Sequence, residues 1–233
     1  GRVLPRASGI RVVSERISAS LTNRYGARIP VPQVIAIQVA SMVPEPVPLP
    51  EHSFSFALIT VGRIEPEKRI KDIILALNMV RDTCPEVGLI VVGKGTELGR
   101  LQKQVASLHL EDRVVFTNDW RTDAWGLVRS SQGYIQASAY EGYGRTLIEA
   151  ALAGVPIITT DVGIVGEVFT GKGDALVAPV CSPQSLAIHI RTLVSSFEVP
   201  KQVGSAGRIA ATKHLAETDS SAASIAADLS RLV

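Results

Sequence analysis

Glu141 and Glu149 bracket the segment Tyr-Glu-Gly-Tyr-Gly-Arg-Thr-Leu-Ile-Glu-Ala, and the second glutamate stands in the otherwise apolar run 146–153. An ionised carboxylate in such a run is costly unless something pairs with it. Gly142 and Gly144 let the backbone approach a ligand, and a helix starting near Arg145 offers unpaired N–H groups to an anion. On one continuous helix the two carboxylates would stand about 80° apart. The glycines instead predict Glu141 in the loop and Glu149 on the helix, so that each addresses a different part of one ligand. That ligand would be anionic and would carry hydroxyls, as a sugar nucleotide does. The plainer reading is a helix whose Glu149 faces a solvent gap.

Two further loops could carry chemistry. In Val61-Gly62-Arg63-Ile64-Glu65-Pro66-Glu67-Lys68-Arg69, Arg63 can fork onto phosphate oxygens and Lys68 adds a compact charge. Ion pairing of these cations with Glu65 and Glu67 on a solvated surface explains the loop equally simply. The loop Gly93-Lys94-Gly95-Thr96-Glu97-Leu98-Gly99 reads as a dinucleotide fingerprint with a stretched third spacing, with Asp119 placed to meet a ribose. That reading makes an NADP-dependent oxidoreductase the rival function. Against it, the loop follows the second strand of its domain, Gly99 comes one residue late, and a tight turn explains the glycines too. Tyr140 and Tyr143 flank Glu141 as crevice wall or as core. His52, His109, His189 and His214 are scattered without metal-ligand spacing, so no metal site is expected.

These loops must be held by strands and helices. Short strands are expected at 10–13, 34–37, 57–61, 87–92, 114–116, 133–136, from 155 and at 175–177. Helices are expected at 14–25 (Ser14 as N-cap), 66–82, 96–108, near 120–129, at 145–153, from 183 to about 195, and through 202–233. β-Branched runs alternating with helices predict an α/β fold, a Rossmann-like doubly wound parallel sheet with ligands at the carboxyl ends of its strands. Seven of the thirteen prolines fall in the first fifty residues, four of them at alternate positions in 44–50. Residues 41–52 therefore read as a stiff extended linker. The β-α-β unit before it is too small to stand alone and must dock.

The 233 residues carry a net charge of only +2, which gives no global field for nucleic acid. Arg2, Arg6, Arg11, Arg16, Arg24 and Arg28 face only Glu15 and Glu45 in the first fifty residues, an excess that reads first as a solvated surface and second as one for an anionic partner or for peripheral contact at the inner face of a membrane. Cys84 and Cys181 read as free thiols of a cytoplasmic protein. No signal peptide is visible, and the absent initial methionine leads us to expect a processed or excised chain.

In order along the chain, Val-Gly-Arg-Ile-Glu-Pro-Glu-Lys (61–68), Val-Gly-Leu-Ile-Val-Val-Gly-Lys-Gly (87–95), Glu-Asp-Arg-Val-Val-Phe (111–116), the Glu-x7-Glu signature with Ala-Gly-Val-Pro (to 156), Thr-Asp-Val-Gly (160–163) and Gly-Glu-Val (166–168) resemble the family 4 glycosyltransferases, group-1 retaining enzymes of the GT-B fold. The resemblance covers roughly 56–195. It implies two Rossmann-like domains facing across a cleft. Residues 1–40 would be a remnant of the N-terminal, acceptor-side domain, 41–52 the linker, 53–216 the donor-binding domain and 217–233 a helical tail. It further implies transfer of a hexosyl group from a nucleotide diphosphate sugar, such as UDP- or GDP-hexose, with retention and without a metal or other cofactor. The acceptor glycan, lipid or small molecule would bind the absent half, and the fragment alone would be nearly inactive. Arg63 and Lys68 would grip the diphosphate with the Gly144, Arg145 and Thr146 amides, Glu149 the ribose, and Glu141 the sugar at the reacting centre. Thr117 and Asn118 would lie beside the base, and Gly62, Gly93, Gly95, Gly142 and Tyr143 would complete the donor contacts. Arg69 stands where the family usually has glycine, so it either strains a left-handed turn or adds a phosphate contact. A non-catalytic sugar-nucleotide-binding module is the third alternative.

Overall fold

The computed structural model describes residues 7–35 and 37–230. Arg2, Arg6, Ala36 of the expected strand 34–37 and the last three residues of the helical tail lie outside the described residues. A small parallel pair, β1 (Arg11–Val12) and β2 (Gln33–Val34), flanks α1 (Glu15–Tyr25). The main sheet holds β3 (Phe56–Val61), β4 (Val87–Val92), β5 (Val114–Phe116), β6 (Gly133–Ile135), β7 (Ile157–Thr160) and β8 (Leu176–Ala178), all parallel, in the order β5-β4-β3-β6-β7-β8. The central strands are almost wholly apolar, Thr60 of β3 being the polar exception, because helices cover both faces; β4 is buried along its whole length. Strand order reverses between β3 and β6, and a crevice opens above the carboxyl ends at such a switch point.

The covering helices are α2 (Ile70–Val80), α3 (Leu98–Ser107), α4 (Ala124–Ser130), α5 (Arg145–Leu152), α6 (Pro183–Val194) and α7 (Glu198–Ser230). One core cluster joins α2 and α6 to one face through Ile73, Leu77, Leu186 and Ile190; the other joins α5 and α7 to the opposite face through Leu147, Ile148 and Ala211. Each large side chain so buried contributes about 1.5–3 kcal/mol. α7 runs unbroken across the boundary drawn at 216, and no helix among the described residues is long and apolar enough to cross a membrane.

Two expectations change. The helix at 66–82 starts later: Pro66–Lys68 form a 3-10 turn, Arg69 adopts φ 49° and ψ 38°, and α2 begins at Ile70. Left-handed backbone costs a residue with Cβ about 1–2 kcal/mol. Here it is offset locally, because Arg69 Nε donates to Asp72 Oδ2 at 2.6 Å and Asp72 N to Arg69 O at 2.8 Å. Asp72 is buried, so the Arg69 side chain turns into the fold and not toward a phosphate. Second, the Pro-rich segment forms neither helix nor strand, and it is not a free linker but is seated on α4. Val47 N donates to Gly126 O at 3.2 Å, Arg129 to Pro44 O at 2.6 Å, and Val47 and Leu49 pack against the core.

The N-terminal unit docks onto the loops after β7. Glu167 accepts from Glu15 N and Arg16 N at the start of α1, while Arg16 reaches Asp161 Oδ1 (2.5 Å) and Val165 O (2.6 Å). Ser14 caps α1 at Ile17 N and donates to Gly142 O at 3.1 Å.

Candidate functional site

The carboxyl ends of β3, β4 and β6 enclose a cavity of about 10 Å³ lined by Gly62, Arg63, Lys68, Gln136 and Ser138. Lys68 Nζ meets Glu141 Oε1 at 2.5 Å, and Ser138 Oγ donates to the same oxygen at 2.8 Å. Both partners of the ion pair are largely shielded, at 24% and 13% side-chain exposure. Arg63 is exposed and pairs with Glu67 at 3.2 Å, as the surface reading expected. An exposed pair of this kind is worth about 0–1 kcal/mol, so the guanidinium exchanges partners readily. Glu65 instead accepts from the Thr96 hydroxyl and amide, which hold its carboxyl below the ordinary range.

Gly144, at φ 102°, turns the chain into α5, and no side chain among the described residues caps that helix start. Glu141 lies in the loop and Glu149 on the helix. Glu149 is not among the groups lining the cavity. Arg145 Nε donates to it at 2.8 Å along the helix, and Trp125 Nε1 holds its backbone carbonyl at 2.7 Å. Burial raises the Glu149 pKa, and Arg145 offsets part of that shift. The Tyr134 hydroxyl links the groups. It is fully buried, its pKa is pushed up first by desolvation and then by both Glu141 and Glu149, and it donates to Thr146 Oγ1 at 2.8 Å.

The fold gives the other expected residues these surroundings. Tyr143 points into the core and its hydroxyl meets His214 Nε2 of α7 at 2.7 Å; Tyr140 is the exposed member of the pair. Gly93 and Gly95 serve packing between loops. A Cβ on Gly93 would sit 2.0 Å from Gly62 O and one on Gly95 2.1 Å from Ile64 O, while Ile64 N and Lys94 O hydrogen-bond at 2.7 Å. The same contacts account for two glycines of the dinucleotide reading, Gly93 and Gly95, without a pyrophosphate, whereas a Cβ on Gly99 would meet nothing within 4 Å. Asn118 is exposed with φ 51°, and beside it the Thr117 hydroxyl and one Asp119 carboxylate oxygen are buried with no partner.

A second crevice, about 440 Å³, separates Arg16, Ile17, Ser20 and Leu21 of α1 from Tyr140, Glu141, Asp161 and Val162. Glu141 thus borders it while its Oε1 meets Lys68 of the smaller cavity. This size suits a small-molecule site. Sequence reasoning missed Gln136, Ser138 and the α1 wall. Ser138 was recoverable from its place just after an apolar strand, whereas the wall depends on how the N-terminal unit docks. No group of three or more His, Cys, Asp or Glu among the described residues could hold a metal ion.

The model of the family described as "Glycosyl transferases group 1" matches residues 49–210. The GtfA subunit of the UDP-N-acetylglucosamine–peptide N-acetylglucosaminyltransferase of Streptococcus parasanguinis is 30% identical over 144 residues, covering 61% of this chain and 28% of that one. Glycogen synthase of Mycobacterium tuberculosis is 33% identical over 124 residues, 52% of this chain and 30% of that one. The chain thus spans less than a third of the length of either relative. The structure of Anabaena HepE in complex with UDP superposes with a TM-score of 0.83 at 21% identity, covering 95% of this chain and 64% of that one, and so shares its fold.

Proposed function

The chain belongs to the group 1 glycosyltransferases, and from that premise we propose that it is the donor-binding part of an enzyme that transfers a hexosyl group from a nucleotide diphosphate sugar with retention of configuration. The observation that carries this reading is the shielded Lys68–Glu141 contact at 2.5 Å, next to an α5 start that no side chain caps. The relatives point to UDP as the nucleotide: UDP-N-acetylglucosamine appears in the name of GtfA, and HepE was solved with UDP.

The chemistry follows from charge. Cleavage of the anomeric C–O bond leaves negative charge on the diphosphate and positive charge on the sugar. When donor binds, Lys68 exchanges Glu141 for phosphate oxygens, Arg63 leaves its exposed partner Glu67, and the α5 amides complete the cradle. Glu141, released on one side, faces the oxocarbenium-like carbon. The sugar and the incoming acceptor hydroxyl would occupy the larger crevice between Glu141 and α1, with the rest of the acceptor on the other half of the enzyme. Glu149 would then take the ribose hydroxyls by exchanging Arg145.

Titration calorimetry with UDP, GDP and NADPH tests the reading. UDP should bind, and Lys68→Met should weaken it at least about tenfold, the loss expected for one charge-assisted contact. Tight NADPH binding, or UDP binding indifferent to Lys68, would sink it.

A further inference from the structure

We propose that Gln136 is a donor-binding residue whose side-chain amide hydrogen-bonds an oxygen of the diphosphate; this rests on the donor-site reading above. Gln136 follows β6 directly and is only 5% exposed, yet its Nε2 is buried without a hydrogen-bond partner. Leaving a buried donor unpaired is costly, so such a group calls for a ligand or an ordered water.

Its other end is committed. Tyr134 and Thr146 place their hydroxyls 3.3 Å and 3.4 Å from Gln136 Oε1, and Tyr134 donates to Thr146. With Oε1 held on that side, the NH₂ end faces the small cavity that Gln136 shares with Gly62, Arg63 and Lys68. The side-chain nitrogens meeting there are donors only: a guanidinium, an ammonium and the amide. A volume of about 10 Å³ admits a single oxygen-sized group. The lining also includes Val61, Ile70, Val92 and the hydroxyl residues Thr60 and Ser138, and a space of that size with these donors on its wall fits one non-bridging phosphate oxygen. The hydroxyl relay also ties the amide to Thr146 in the first turn of α5.

The test compares UDP with uridine on the 233-residue chain, unaltered and as Gln136→Leu and Gln136→Glu. Removing the donor in Gln136→Leu should weaken UDP about tenfold while leaving uridine within about twofold. Gln136→Glu, which sets a carboxylate against the anion, should weaken UDP further. The thermal midpoint without ligand should hold or rise in Gln136→Leu, because the unpaired buried donor is gone. In the unaltered chain, the Gln136 side-chain NH₂ resonances should shift with UDP and not with uridine, a readout that needs no variant to fold. UDP binding by Gln136→Leu equal to that of the unaltered chain, or equal losses of UDP and uridine with a lowered midpoint, would overturn the assignment. Absence of any UDP binding by the unaltered chain would overturn the donor-site reading and this inference with it.

Discussion

Two glycine-bearing loops leave the carboxyl edge of the same sheet and use the residue for opposite ends. At Gly93 and Gly95 the missing Cβ lets one loop lie against the backbone of another, with no room left over. At Gly142, a Cβ would find its nearest neighbours, Ile17 and Val13, at 3.9 Å, an ordinary contact distance. The first loop is filled by protein. The second leads into a helix start without a cap, between two cavities. Glycine in a strand-to-helix loop is therefore evidence of a ligand only where the space it leaves stays unfilled.

Gly95→Ala should break the comparison most visibly. It should cost about 3 kcal/mol or more, because the obstacle is a carbonyl rather than a flexible side chain. That corresponds to a fall of roughly 6–12 °C in the thermal midpoint. Gly142→Ala should stay within about 2 °C of the parent. Equal shifts would show that the loops are packed alike.

The carboxylate behind the second loop gives the next effect. Burial raises the pKa of Glu149, so the native state holds its proton more tightly than the unfolded chain. The associated stability is present below the ordinary value of 4.5 and is lost as pH rises through the higher native value. At neutral pH the ionised form carries that cost. Glu149→Gln should therefore be more stable by on the order of 1 kcal/mol at neutral pH, with the gap closing below about pH 4, and should bind UDP about tenfold more weakly. Denaturant titrations across pH check the first part and calorimetry the second.

Tyr143 supports the same loop from the core side. Tyr143→Phe should lose about 1 kcal/mol with the His214 hydrogen bond. Burial lowers the His214 pKa, so its stability contribution is present above the ordinary 6.5 and lost as pH falls through the lower native value. His214→Gln should flatten that acid limb in a pH series of thermal midpoints.

Much of this arrangement was legible in the residues. Alternating β-branched runs and helices gave the parallel sheet, and the glycines at 142 and 144 separated Glu141 from the helix of Glu149. Short-range spacing could not show that Lys68 and Glu141, 73 positions apart, meet across the switch point. Nor could it show which way Tyr143 turns, since an aromatic flanked by glycines suits a crevice wall as well as a core. Arg69 misled the helix boundary because composition gives no sign of left-handed backbone at a non-glycine residue, which the family resemblance alone flagged; its bonds with Asp72 help to hold the turn. Gln136 was invisible because a glutamine after an apolar strand reads as an ordinary end to burial.

Ser14 Oγ belongs to two bonds at once, accepting from Ile17 N at 3.4 Å and donating to Gly142 O at 3.1 Å. The first has almost no slack, since contact beyond about 3.5 Å ceases to be a hydrogen bond, and the second has about 0.4 Å. A tilt of the N-terminal helix larger than that cannot be absorbed at that serine. It must either break the link or drag the glycine turn along, so the loop bearing Glu141 is geared to a helix outside its own sheet.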